Sequence, residues 1–192
     1  MTAVETLAGG GRYGRVARAI HWLIGAFAVM VVALGWASGS APHNSPARDG
    51  LLLLHRSVGL AILGLMVVRA LWRWRHPPPV PPSALGRAET ALVRLTHFGL
   101  YLIFLVMPIA GYLNAAAAGH AVSFFGLVSI PPLPAINQRV PQLAIAVHLL
   151  GQYAVYGLVS LHVIGALYHG IVRRDGVLER MLPHRRGAGF DS

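Results

Sequence analysis

The chain has no cysteine and no lysine, and its six acidic residues (Glu5, Asp49, Glu89, Asp175, Glu179 and Asp191) all fall outside its long apolar runs. Each absence removes a class of chemistry. Without cysteine there is no disulfide framework, no iron–sulfur cluster held by the chain and no C-x-x-C-H motif for covalent attachment of a prosthetic group. Without Asp or Glu in the apolar runs, a histidine there is expected to lack a carboxylate partner, and a protonated imidazole is costly in hydrocarbon. Without lysine, all 16 basic residues are arginine, and the formal net charge is +10. In a soluble protein that excess would suggest nucleic acid. Here the arginines cluster beside apolar runs, so membrane orientation accounts for them and no nucleic-acid partner is expected.

What remains is strongly apolar. Of 192 residues, 55% are hydrophobic and 11% charged, and the mean hydropathy is +0.59. This composition predicts a membrane protein. Four runs are long enough to cross a bilayer, at about 20–37, 51–71, 91–113 and 143–172. The predicted fold class is an all-α membrane protein, a four-transmembrane-helix bundle with both termini cytoplasmic. Residues 1–11 are expected to be a disordered tail, and 12–192 a single domain. A cleaved signal peptide is the rival reading of the first run, but that run is longer than a signal h-region and three more follow it. The proline tract of 77–82 reads as a short rigid linker. Pro108 is expected to kink the third span. The longest loop, 114–141, reads as an interfacial segment or short cap, with Phe124 and Phe125 as its aromatics.

Arginine counts give the orientation. Thirteen arginines flank the N-terminus, the connection between spans two and three, and the C-terminus; Arg48 and Arg139 are alone in the other two loops. The positive-inside rule then places both termini in the cytoplasm and, in a bacterium, the two poor loops in the periplasm, with the inner cell membrane as location.

Orientation gives each histidine a depth. His148, His162 and His169 share one stripe of the fourth span, since steps of 14 and seven return close to the same helical direction. Fourteen residues separate His148 and His162 by about 21 Å along the axis, too far for one metal ion. His55 and His148 share an outer layer. His21, His97, His162 and His169 share the inner half, and counting from the flanking arginines does not choose a pair among them. Neutral imidazole coordinating iron avoids the cost of burying a charge, so bis-histidine, non-covalent haem b is the chemistry this residue set allows. Zinc would want three or four ligands converging on one point. Gly25, Gly59, Gly151 and Gly165 each lie three or four residues after a histidine, where a bare backbone would let a flat macrocycle approach. Arg56, beside His55, is a candidate contact for a haem propionate or another anion.

These residues resemble the bacterial cytochrome b561 family. The likeness covers nearly the whole chain, from Arg15 to Arg186. It rests on Ala19-Ile20-His21-Trp22-Leu23, on Leu54-His55-Arg56-Ser57-Val58-Gly59 with Met66 to Arg69, and on His97-Phe98-Gly99-Leu100-Tyr101 with Pro108 and Gly111. Phe124 to Leu127, the fourth-span histidines and Arg180-Met181-Leu182-Pro183 complete it. The resemblance implies a four-helix protein with two haem b groups, ligated by His21 with His162 and by His55 with His148. It leaves His97 and His169 for an inner quinone or proton site. It further implies electron transfer between a periplasmic one-electron donor, with superoxide as a candidate, and membrane ubiquinone. Other relatives serve as electron-transfer subunits or anchors of hydrogenases, dehydrogenases or periplasmic redox proteins, which is the alternative expectation. Arg56 beside the outer ligand, and arginine throughout, depart from the family pattern and leave the donor open.

Overall fold

The computed structural model describes residues 11–77, 79, 86–134, 137 and 139–182. The expected N-terminal tail apart from Gly11, most of the proline tract, and His184, Arg185 and Arg186 lie outside the described residues.

Four long helices carry the chain: α1 (Arg15–Ser40), α2 (Pro46–Arg75), α3 (Arg87–Ala117) and α4 (Arg139–Leu167), the last passing directly into a π-helical turn, Tyr168–Arg173. Each apolar run lies inside one helix, and all four helices are long and apolar enough to cross a membrane. The helices outrun the apolar stretches because backbone hydrogen bonding does not stop where side chains become polar. At the start of α2, the Ser45 side chain accepts the Arg48 N–H at 3.2 Å, Pro46 occupies the first turn and Asp49 follows. Together these form a strong N-terminal signal. The connection between α1 and α2 therefore shrinks to residues 41–45. α3 runs unbroken through Pro108.

The long loop holds more order than its sequence suggests. Strands β1 (Val122–Phe124) and β2 (Val128–Ile130) form an antiparallel hairpin. Phe125 and Gly126 turn it with φ values of 52° and 74°, the positive pair that primed turns require. Three-residue strands are too short for alternation to show in sequence. The hairpin is latched to α2 by Ser57, which is fully buried. The Ser57 hydroxyl accepts the Phe125 N–H at 2.8 Å and lies 3.2 Å from the Ser123 carbonyl and 2.7 Å from that of Leu53.

Packing runs in sequence, α1 on α2, α2 on α3 and α3 on α4, whereas no Cα of α4 comes within 8 Å of α1 or α2. The main core lies between α1 and α2, where Ile24, Val58, Ile62 and Met66 gather Tyr101, Phe104 and Leu105 from α3. Only 6–22% of each apolar window is buried within the protein. Outward-facing Val29, Leu95 and Leu150 leave a belt of apolar surface that needs a hydrocarbon surround. The first and last described segments meet at the end of the bundle opposite the hairpin, where Arg12, Arg18 and Trp22 donate to the carbonyls of Glu179, Leu182 and Met181. The α4 gap is braced by Trp36 of α1, whose indole donates to the Tyr156 hydroxyl at 2.7 Å.

Candidate functional site

At the hairpin end, His55 of α2 faces His148 of α4 across the gap, with ring centroids 5.9 Å apart and planes at 77°. His55 Nδ1 lies 2.9 Å from the Val31 carbonyl of α1, and His148 Nδ1 lies 3.0 Å from the Met107 carbonyl of α3. A carbonyl oxygen can only accept, so each Nδ1 carries the hydrogen and each Nε2 keeps its lone pair. Four residues beyond each carbonyl stands a glycine. A Cβ at Gly35 would sit 3.2 Å from His55 Cε1 and 3.3 Å from its Nδ1, and one at Gly111 would sit at those same distances from His148. The same carbonyl and glycine device thus orients both imidazoles, each from the neighbouring helix. Such a second hydrogen bond is what fixes tautomer and orientation in a metal-ligating histidine.

At the opposite end, His162 of α4 has two histidine neighbours. His21 of α1 lies 5.9 Å away with planes at 80°, and His97 of α3 lies 5.3 Å away, also at 80°. They differ in setting. His97 approaches from α3, on which α4 packs, and its Nδ1 donates to the Val93 carbonyl of its own helix at 2.7 Å. His21 faces His162 across the open side between α1 and α4. Arg69 stands beside this cluster, its Nε donating to the Tyr101 hydroxyl at 3.1 Å.

Two imidazoles that held one iron between them, at metal–nitrogen distances of about 2 Å, would have ring centroids roughly 6 Å apart. The His55/His148 and His21/His162 pairs both match that spacing. Among the described residues no three or more His, Cys, Asp or Glu side chains are arranged to hold a metal ion, so the donor set suits a group that brings its own equatorial ligands. No buried side-chain nitrogen among them lacks a partner, so the uncommitted Nε2 atoms of His55 and His148 are not sealed off by packing. Gly25, Gly59 and Gly165 also border open space, whereas a Cβ at Gly151 would meet Met107. Three of the four glycines fit a macrocycle's approach, and Gly151 is a helix-packing contact instead.

One expectation is overturned. His169 was to lack a carboxylate partner, yet its Nδ1 lies 2.7 Å from Asp175 Oδ2. The π-helical turn followed by Arg174 in the left-handed region (φ 50°) folds the chain back and delivers Asp175 to the imidazole. Arg173 extends the network, 3.8 Å from Asp175 and hydrogen-bonded to Glu89 of α3 at 2.6 Å. Burial alone would raise the Asp175 carboxyl, but the hydrogen bonds from His169 and the Val177 N–H, with Arg173 nearby, hold it below its ordinary value.

Arg56 lines an open cavity of about 490 Å³ with Asp49, Leu52, Leu53, His120 and Ser123. The residues that sequence reasoning missed are the Val31 and Met107 carbonyls, Gly35 and Asp175. Backbone carbonyls carry no sequence signal, Gly35 acts on a different helix, and Asp175 reaches His169 only through an irregular turn. Gly111 was legible only as part of the family pattern.

Comparison with known proteins agrees with this arrangement. The family model described as "Prokaryotic cytochrome b561" matches residues 12–184. The chain is 33% identical over 181 residues to the "Probable superoxide oxidase CybB" of Yersinia pestis, covering 92% of this chain and 98% of that protein. It is 33% identical over 171 residues to "Cytochrome b561 homolog 2" of Escherichia coli (strain K12), covering 89% and 91%. It is 27% identical over 177 residues to "Cytochrome b561 homolog 1" of the same organism, covering 91% and 99%. A four-helix membrane bundle with paired intramembrane histidines, matched over residues 12–184 by the family model, belongs to the prokaryotic cytochrome b561 family of membrane electron-transfer haem cytochromes.

Proposed function

We propose that the chain holds two haem b groups, one between His55 and His148 and one between His21 and His162, and moves electrons between a periplasmic one-electron donor and membrane ubiquinone. The observation that carries this reading is the pair of near-perpendicular histidine couples, each 5.9 Å apart, across the gap that separates α4 from α1 and α2. That gap also favours His21 over His97 as the partner of His162, because His97 comes from the helix against which α4 packs. Haem b supplies a one-electron iron centre when bound.

The protein's own groups do the rest. The Val31 and Met107 carbonyls hold His55 and His148 with Nε2 as the ligating atom. Arg56 provides positive charge at the hairpin-end cavity, for a propionate or for an anionic donor. The name of the Yersinia pestis relative makes superoxide the donor of first choice. The arginine distribution supports an orientation with the hairpin outside and both termini in the cytoplasm, which in a bacterial inner membrane puts the hairpin in the periplasm. His97 and His169 stand at the terminal end, where quinone would be reduced and protonated.

Two measurements test this. A pyridine haemochrome assay should give two haem b per chain, and rapid mixing with superoxide should reduce them. Haems that stay oxidised would exclude superoxide as donor. A second reading, a haem-bearing anchor for a redox partner, is favoured by the exposed apolar hairpin tip, where Leu127 is 83% and Val128 60% exposed. Quinone reduction only in the presence of a co-purified, stoichiometric subunit would select it.

A further inference from the structure

We propose that Asp175 makes His169 the proton donor to quinone, by holding the Nδ1 hydrogen and so committing Nε2 to proton exchange. The inference rests on the quinone reading above and distinguishes between the two histidines left over at the terminal end.

Three observations support it. First, the pair is built rather than incidental. His169 is 8% exposed, its Nδ1 lies 2.7 Å from Asp175 Oδ2, and the Asp175 side chain is 12% exposed. The carboxylate is held from other sides by the Val177 N–H, 3.2 Å from Oδ1, and by Arg173, whose far end is anchored to Glu89. Second, His169 makes this one hydrogen bond, and no buried side-chain nitrogen or oxygen among the described residues lacks a partner. Nε2 is therefore unpartnered and not fully sealed, the one ring nitrogen left for a ligand or water. Third, His97 lacks the carboxylate. Its Nδ1 is tied to its own helix and its ring packs against His162. A carboxylate behind an imidazole that works through its far nitrogen is a recurring arrangement for proton transfer.

The step balances as follows. Quinone takes up two electrons, delivered singly by two donor molecules, and two protons. An O–H bond forms at one quinone oxygen as the Nε2–H bond of the imidazolium form of His169 breaks, leaving the neutral ring. Throughout, Nδ1–H stays with Asp175. The imidazole then regains a proton at Nε2 from water at the terminal end, and water supplies the second proton directly. Asp175 touches neither quinone nor haem, so it is a positioning residue.

The test uses pre-reduced holoprotein mixed with ubiquinone-1 in stopped flow, following haem reoxidation. Asp175→Asn should lower the limiting rate about 100-fold, leaving the half-saturating quinone concentration and the haem spectrum in place, and Asp175→Glu should restore most of the rate. Ferricyanide takes an electron without a proton, and the loss should not extend to it. Nitrogen-15 NMR of the neutral ring, at alkaline pH, should show His169 as the Nδ1–H tautomer in the wild type and a shift toward Nε2–H in Asp175→Asn. An Asp175→Asn variant with the wild-type limiting rate, or one equally slow toward ferricyanide, would overturn the proposal, as would a wild-type His169 in the Nε2–H form. A wild-type protein inert to ubiquinone-1 but showing the Nδ1–H tautomer would refute the quinone reading, and with it the donor role of His169, while the positioning by Asp175 would stand.

Discussion

Replacing Gly111 by alanine tests the orienting device at the hairpin end more directly than removing a ligand does. The new Cβ would lie 3.2 Å from His148 Cε1 and 3.3 Å from its Nδ1, a few tenths of an ångström inside ordinary contact at about 3.5–4.0 Å. The imidazole cannot yield without stretching the 3.0 Å bond to the Met107 carbonyl. Overpacking of this kind costs about 1–3 kcal/mol. Against it, alanine in place of glycine inside a helix gains roughly 0.5–1 kcal/mol. The helix gain offsets only part of that cost in the stability of the bundle and none of it in haem affinity, because the ring displacement falls on the ligand. Haem binding at His55/His148 should therefore weaken about 5–150-fold, the equivalent of 1–3 kcal/mol. Haem loss to a scavenging apoglobin, resolved into two phases, is the assay. One phase should accelerate in Gly111→Ala and likewise in Gly35→Ala, with the other unchanged. Gly157→Ala, where nothing lies within 4 Å of the added Cβ, should leave both phases alone. Wild-type loss in both Gly35→Ala and Gly111→Ala would refute the argument that these glycines make room for the rings.

Ser57→Ala removes the acceptor of the Phe125 N–H and should loosen the hairpin by about 1–3 kcal/mol. The amides of residues 122–130 would then exchange with solvent faster, and unchanged exchange would show that the hairpin does not depend on this latch. The pH dependence of the C-terminal turn follows from Asp175, whose carboxyl is held below its ordinary value of 3.8. A depressed carboxyl contributes stability in full above that ordinary value and loses it as pH falls through the lower folded value. The Asp175 carboxyl carbon-13 resonance should hold as pH falls to about 4 and shift only below it, and Asp175→Asn should remove that step.

The apolar runs were legible because a membrane-crossing helix must satisfy its backbone internally and present hydrocarbon outward along its whole length. The His55/His148 pair was legible for a related reason: depth is fixed by distance from the helix ends, and two histidines on different helices share one depth. The terminal-end cluster was not, because His21, His97 and His162 occupy similar depths and only the lateral arrangement of helices separates them. The hairpin was missed because its strands are three residues long, and Asp175 because it lies six residues from its partner around an irregular turn.

The sequence by itself thus determined the number of spans, the membrane habitat, the family and the layer in which each histidine lies, since these depend on composition and on rise per residue. Tertiary structure decided which surfaces stay apart. The α4 gap, the carbonyls of Val31 and Met107, the glycines that let the imidazoles reach them and the return of Asp175 to His169 depend on side-to-side helix placement and backbone direction, which no one-dimensional pattern encodes.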